Sequence, residues 1–97
     1  MKRYLIKVTY LEGRHAGETY LLRKGGYVTE PGYIEWEDTT YASYKTALWQ
    51  CRRLESDNEL NMRIERKDRA YARQMGRKFR EYNIYELQSY EPYEVEI

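Results

Sequence analysis

Ninety-seven residues, 34 % of them charged and 41 % hydrophobic, make one domain with a single modest core. No apolar run is long enough to span a membrane, and fifteen aromatics in a hundred residues exclude a chain disordered by composition. The formal net charge of +1 excludes a uniformly basic or acidic protein, but the signs are segregated. Residues 1–29 carry six bases and two acids, 30–38 four acids and no base, 60–80 eight bases and two acids, and 81–97 five acids and no base.

In chain order, residues 2–11 alternate, with Tyr4, Ile6, Val8 and Tyr10 on one face and Leu5, Lys7, Thr9 and Leu11 on the other, which predicts a strand. Met1-Lys2-Arg3 has the charge that opens a secretory signal, but the alternation that follows is unlike an apolar signal core. EGRHAG at 12–17 reads as a turn closing a hairpin onto 18–23. Gly25-Gly26 punctuates, Tyr27-Val28 opens a short third strand, and Pro31-Gly32 forces a further turn. Tyr33, Ile34 and Trp36 then alternate loosely with Glu35 and Glu37.

Residues 41–58 read as the principal helix. Tyr41, Tyr44, Ala47, Leu48, Cys51 and Leu54 fall in one arc roughly 140° wide, with Lys45, Arg52 and Arg53 outside it. Asp38, Thr39 and Thr40 are the expected cap and Asp57-Asn58 the expected stop. LNMRIER at 60–66 places Leu60, Met62 and Ile64 at every second position and reads as a returning strand, a helical continuation being the alternative. Asp68 would cap a second, shorter helix through about Phe79, with Tyr71, Ala72, Met75 and Phe79 on one side and Gly76 weakening it or marking where it frays. YNIYELQSYEPYEVEI ends the chain as one strand, or as two broken near Pro92. The expected fold is α+β: an antiparallel sheet of four to five strands covered by one main amphipathic helix and one short basic helix.

Chemistry is sparse. A lone cysteine forms no internal disulfide, and Cys51, on the apolar stripe, reads as a small buried hydrophobe, so the cytoplasm is the expected compartment. His15 sits in a turn with Glu12 and Glu18 nearby, without the nucleophile a general base needs or the further ligands a metal needs. Gly25-Gly26 after Arg23-Lys24 matches no phosphate-loop pattern, and Glu35, Glu37 and Asp38 lack the spacing of a calcium loop. No cofactor, metal or catalysis is expected.

Two surfaces could bind a macromolecule. Arg66, Arg69, Tyr71, Arg73, Arg77, Lys78 and Arg80 form a basic, aromatic-bearing helix, suited to phosphate or equally to a solvated face over a sheet. The acids Glu30, Glu35, Glu37, Asp38, Glu86, Glu91 and Glu94 interleave with Trp36, Tyr90 and Tyr93, and Trp49 joins them as an aromatic off the stripe. That pattern fits a surface imitating a nucleic-acid backbone, or an edge strand kept soluble by glutamate.

A short, cysteine-poor, Tyr- and charge-rich domain running KRYLIKVTYLEG, helix, then YELQSYEPYEVEI resembles the small accessory proteins of phages and mobile elements. Anti-CRISPR and other anti-defence inhibitors belong to that class. The resemblance implies a non-catalytic protein of the bacterial host's cytoplasm that binds a host protein or ribonucleoprotein effector at its nucleic-acid site, here through the acidic-aromatic surface. A nucleic-acid-binding protein using the basic helix, and a homo-oligomeric structural phage protein pairing through strand edges, are the alternatives.

Overall fold

A computed structural model describes residues 1–30, 39–76 and 86–96. Four strands form one antiparallel sheet in the order β3-β2-β1-β4: β1 is Lys2–Tyr10, β2 Thr19–Leu22, β3 Val28–Thr29 and β4 Gln88–Glu96. One helix, α1, spans Tyr44–Gln74. The class is α+β with four strands.

β1 is central because its alternation makes both its faces useful. Its even positions, with Leu22 of β2, form the core against Tyr41, Ala47 and Cys51, while Tyr4, Tyr20, Leu54 and Tyr90 pack partly buried around it. On the other face Leu5 is fully buried and Val95, two positions from its cross-strand partner, is nearly so. β1 pairs with β2 from Ile6↔Leu22 to Thr9↔Thr19, and with β4 over nine residues from Lys2↔Glu96 to Tyr10↔Gln88. The turn between β1 and β2 uses Gly13 and Gly17 at φ +88° and +87°, a region open to glycine at little cost. Where β2 ends, Tyr41 takes over as β1's neighbour, exchanging hydrogen bonds of 3.0 and 2.8 Å with Tyr4.

The helix begins at Ser43, whose extended backbone and Oγ, accepting from Thr46 N at 3.2 Å, meet the needs of an N-cap. This corrects the expected cap at Asp38–Thr40. Thr40 is instead fully buried, its Oγ1 and carbonyl accepting from Arg3 at 2.8 and 3.1 Å. The helix does not stop at Asn58, and 60–66 is not a strand: α1 runs unbroken through it and through Asp68. Between Ser43 and Gly76 there is no glycine or proline, and Glu, Arg, Lys, Met and Ala are good helix formers. The expected second helix is therefore the last two turns of the first. Gly76 marks the end of α1, the second of its two expected roles: its φ of +65° turns the chain, and its N–H donates to Arg73 O at 3.2 Å. The strand expected around 33–36, the continuation of the basic helix past Gly76 and the strand residues before Glu86 lie outside the described residues.

Asn58, expected to end the helix, holds it to the sheet. It is 7 % exposed and lies on the same side of α1 as Ala47, Cys51 and Leu54. Its Nδ2 donates to Glu86 O at 3.0 Å and its Oδ1 accepts from Gln88 N at 3.2 Å. One amide thus satisfies two backbone groups at the entry to β4, as a neighbouring strand would. Leu11 N donates to Leu87 O at 2.9 Å, so odd-numbered residues of β4 turn their backbone groups toward β1 and even-numbered ones outward. Pro92, an even position, offers no N–H there, and Glu94 and Glu96 add charge. The edge beyond Gln88 is thereby built against strand pairing with another chain.

Asn58→Ala leaves Glu86 O and Gln88 N unmatched and should lower stability by about 2–3 kcal/mol in urea denaturation. Asn58→Asp places a carboxylate against the Glu86 carbonyl and should be more destabilising at pH 7 than at pH 4. A loss below about 0.5 kcal/mol for both would show that the clasp contributes little.

Candidate nucleic-acid interface

The buried side of α1 is set by Ala47, Cys51 and Asn58, and the partly buried Leu54, Met62, Glu65, Arg69 and Ala72 continue the same line at three- and four-residue spacing. At about 100° per residue the opposite side of the helix is an arc roughly 100° wide. Into it fall Lys45, Arg52, Arg53, Arg63 and Lys67, all exposed. With them stand Trp49 and Tyr71, 59 % and 58 % exposed. The five acids of α1, Glu55, Asp57, Glu59, Glu65 and Asp68, all fall outside the arc. None of the five bases forms an ion pair among the described residues. From Lys45 to Tyr71 this acid-free face extends about 39 Å at 1.5 Å per residue.

Trp49 lies opposite the buried line. The Arg53 guanidinium stands 5.0 Å from its ring centroid, and Trp49, Arg52, Arg53, Ser56 and Asp57 surround a shallow depression of about 420 Å³. Sequence reading grouped Trp49 with the acids, but the fold sets it among arginines. Arg52 and Arg53 were noted only as residues off the stripe. Their proximity to Trp49 was legible in the i, i+3 and i, i+4 spacing.

The other predicted basic residues are divided. Arg66, Arg69 and Arg73 do share a side of α1, but it borders the buried line. Arg69 donates to Glu65 Oε1 through Nε and Nη2, at 3.1 and 2.9 Å. Arg66 borders a polar groove of about 280 Å³ with Glu12, Glu59, Met62, Arg63 and Leu87. Tyr71 faces the other way, into the acid-free arc. Arg77, Lys78 and Arg80 lie outside the described residues.

Among the described residues, the acids and aromatics of the predicted set do not meet as one surface. Glu91 and Tyr93 project from the sheet face that carries Lys7, and Glu94 and Glu96 from the opposite face. Glu91 lies 3.8 Å from Lys7 Nζ, Glu94 3.4 Å from Lys2 Nζ, and Glu96 2.8 Å from the terminal amine, which lowers the Glu96 pKa through that hydrogen bond. Tyr90 is half-buried against the core, and burial first, then Tyr20 and Tyr10, pushes its phenol up to about 12. Glu86 is turned inward, its Oε1 accepting from Arg14 N at 3.2 Å. Glu30 is exposed beyond β3. Glu35, Trp36, Glu37 and Asp38 lie outside the described residues.

His15 Nδ1 is 2.8 Å from Glu18 Oε2 on the exposed hairpin turn. Among the described residues, no group of three or more His, Cys, Asp or Glu could hold a metal ion, and no helix is long and apolar enough to cross a membrane. No protein-family model, curated protein or solved structure matches the chain.

Cys51 is 1 % exposed, and burial, reinforced by Glu55 and Glu91, pushes its thiol from 9.0 up to about 11. The thiolate needed for nucleophilic or ligand chemistry is suppressed. Because the folded state holds the proton more tightly, its stabilising effect is complete below pH 9 and is lost as pH rises to about 11, at about 1.4 kcal/mol per pH unit. Stability measured by urea denaturation should fall across this window, with burial of Tyr20, Tyr41 and Tyr90 adding to the fall above pH 10. In Cys51→Ala the fall between pH 9 and 10 should flatten; an unchanged slope would refute the assignment.

Proposed function

We propose that the protein is a non-catalytic nucleic-acid-binding protein whose contact surface is the outer face of α1. The observation that carries this reading is the acid-free arc, with Lys45, Arg52, Arg53, Arg63 and Lys67 aligned on one rigid element beside Trp49 and Tyr71. A row of bases uncompensated by acids attracts a polyanion, and arginine forks match phosphate oxygens. The sheet acts as a mount. It covers the opposite side of the helix through Ala47, Cys51, Leu54 and Asn58 and so presents this face to solvent.

A second reading is the inhibitor of a nucleic-acid-handling effector, binding through acids and aromatics. It draws on Tyr93, 37 % exposed beside Glu91 on β4. It has less support, because Glu91, Glu94 and Glu96 already neutralise bases of β1 and the chain's own terminal amine.

Fluorescence anisotropy with labelled oligonucleotides tests the first reading. Binding should weaken as salt rises, with a log–log slope of about −2 to −4, consistent with three to five phosphate contacts. Replacing Arg52, Arg53 and Arg63 by Glu should weaken it at least about ten-fold, since each reversed charge costs on the order of 1 kcal/mol. The same charge reversal at Arg66 and Arg73, on another side of the helix, should weaken it less. Absence of binding at low salt, or equal loss from both sets, would overturn the reading.

A further inference from the structure

Backbone neutralisation explains the bases of α1 but not Trp49. The indole contributes nothing to the core, lying opposite Cys51 at 59 % exposure, and a lysine or glutamate there would fold as well. It is held in place: the Arg53 guanidinium covers it at 5.0 Å, a contact that fixes a flat aromatic surface instead of a freely rotating one. The depression beside it, about 420 Å³, lies within the size range of small-molecule sites. Its rim combines two guanidinium groups with one carboxylate. Arg52 and Arg53 offer donors to flanking phosphates, and Asp57 on the rim offers an acceptor to a base N–H.

We propose that Trp49 is a stacking platform for an unpaired base, so that the ligand of the α1 face is single-stranded nucleic acid. The proposal rests on the nucleic-acid reading above and narrows it. In a duplex both π-faces of every base are covered by neighbouring pairs, so an exposed indole on a helix surface gains nothing from stacking. In a single strand the base can turn out and lie on the ring, with its phosphates on Arg52 and Arg53. A platform of this kind tolerates any base, because every base has a π-face.

The test uses the full chain carrying Trp36→Phe, which leaves Trp49 as the one tryptophan of two. The probes are a twelve-nucleotide oligothymidylate and a blunt-ended twelve-base-pair duplex, which holds no unpaired base, read by tryptophan emission and by anisotropy. The single strand should quench Trp49 emission and bind more tightly than the duplex. Trp49→Ala should weaken single-strand binding by about 5- to 100-fold, as loss of one stacked base does, while Trp49→Phe restores most of it. Duplex affinity should change less than about two-fold. Circular dichroism establishes that each variant is folded. Duplex binding as tight as single-strand binding, with emission unchanged, would overturn the stacking proposal and leave α1 a backbone-binding face. Binding of neither probe would overturn both.

Discussion

A single side-chain amide fixes how the helix and sheet of this protein meet. The line of α1 that faces the sheet begins apolar, with Ala47, Cys51 and Leu54, and turns polar at Asn58. A buried polar group is costly unless matched, and Asn58 is matched at both ends by the backbone of β4. Apolar contact alone would let the helix slide or rotate by a fraction of a turn at small cost. Two hydrogen bonds to Glu86 O and Gln88 N do not, because any shift leaves buried groups unpaired. The rotation of α1 about its axis follows, and with it the identity of the residues that point away from the sheet. A polar residue in the core thus decides that Trp49 and the five bases face solvent.

Much of this was legible in the sequence where side chains obey a simple period. The alternation of β1 and the turn signals after it mark the hairpin, and the line from Ala47 to Leu54 marks the start of α1. Legibility failed where two periods coincide. Leu60, Met62 and Ile64 satisfy the two-residue repeat of a strand, yet in α1 Leu60 and Ile64 stand exposed on one side while Met62 turns toward the buried line. Asn58 read as a stop because asparagine tolerates a left-handed backbone, whereas its value here is the side chain. The acid-free face was hidden by the same error, since a chain broken at Asn58 never places Arg52 and Lys67 on one element. Trp49 stands off the core line, and its neighbours Arg52 and Arg53 are legible at three- and four-residue spacing within the expected helix.

The near-zero net charge has a spatial explanation. Lys2 and Lys7 of β1 are matched across the sheet by Glu94 and Glu91 of β4 and the terminal amine by Glu96, while Arg3 donates to Thr40. These exposed pairs contribute little to stability, each on the order of 0–1 kcal/mol. On the outer side of α1 five bases stand with no acid within the arc. An overall charge of +1 is then compatible with one strongly signed face, because what attracts a polyanion is the local field and not the sum.

The shape of the molecule bears on the same point. Its principal extents are 56 × 22 × 20 Å, and α1 alone accounts for about 46 Å of the long axis. Among the described residues the buried positions of α1, Ala47, Cys51 and Asn58, lie in its first half, and the line continues partly buried through Met62, Glu65, Arg69 and Ala72. An isolated 31-residue helix of mixed composition would be marginal in water, but nucleation at Ser43 and packing at 47–58 meet the initiation cost for the rest. Past Asn58 the helix adds Arg63, Lys67 and Tyr71 to the same side as Trp49, Arg52 and Arg53, at a spacing a flexible loop could not hold. One continuous helix thus holds one side free of acids from Lys45 to Tyr71.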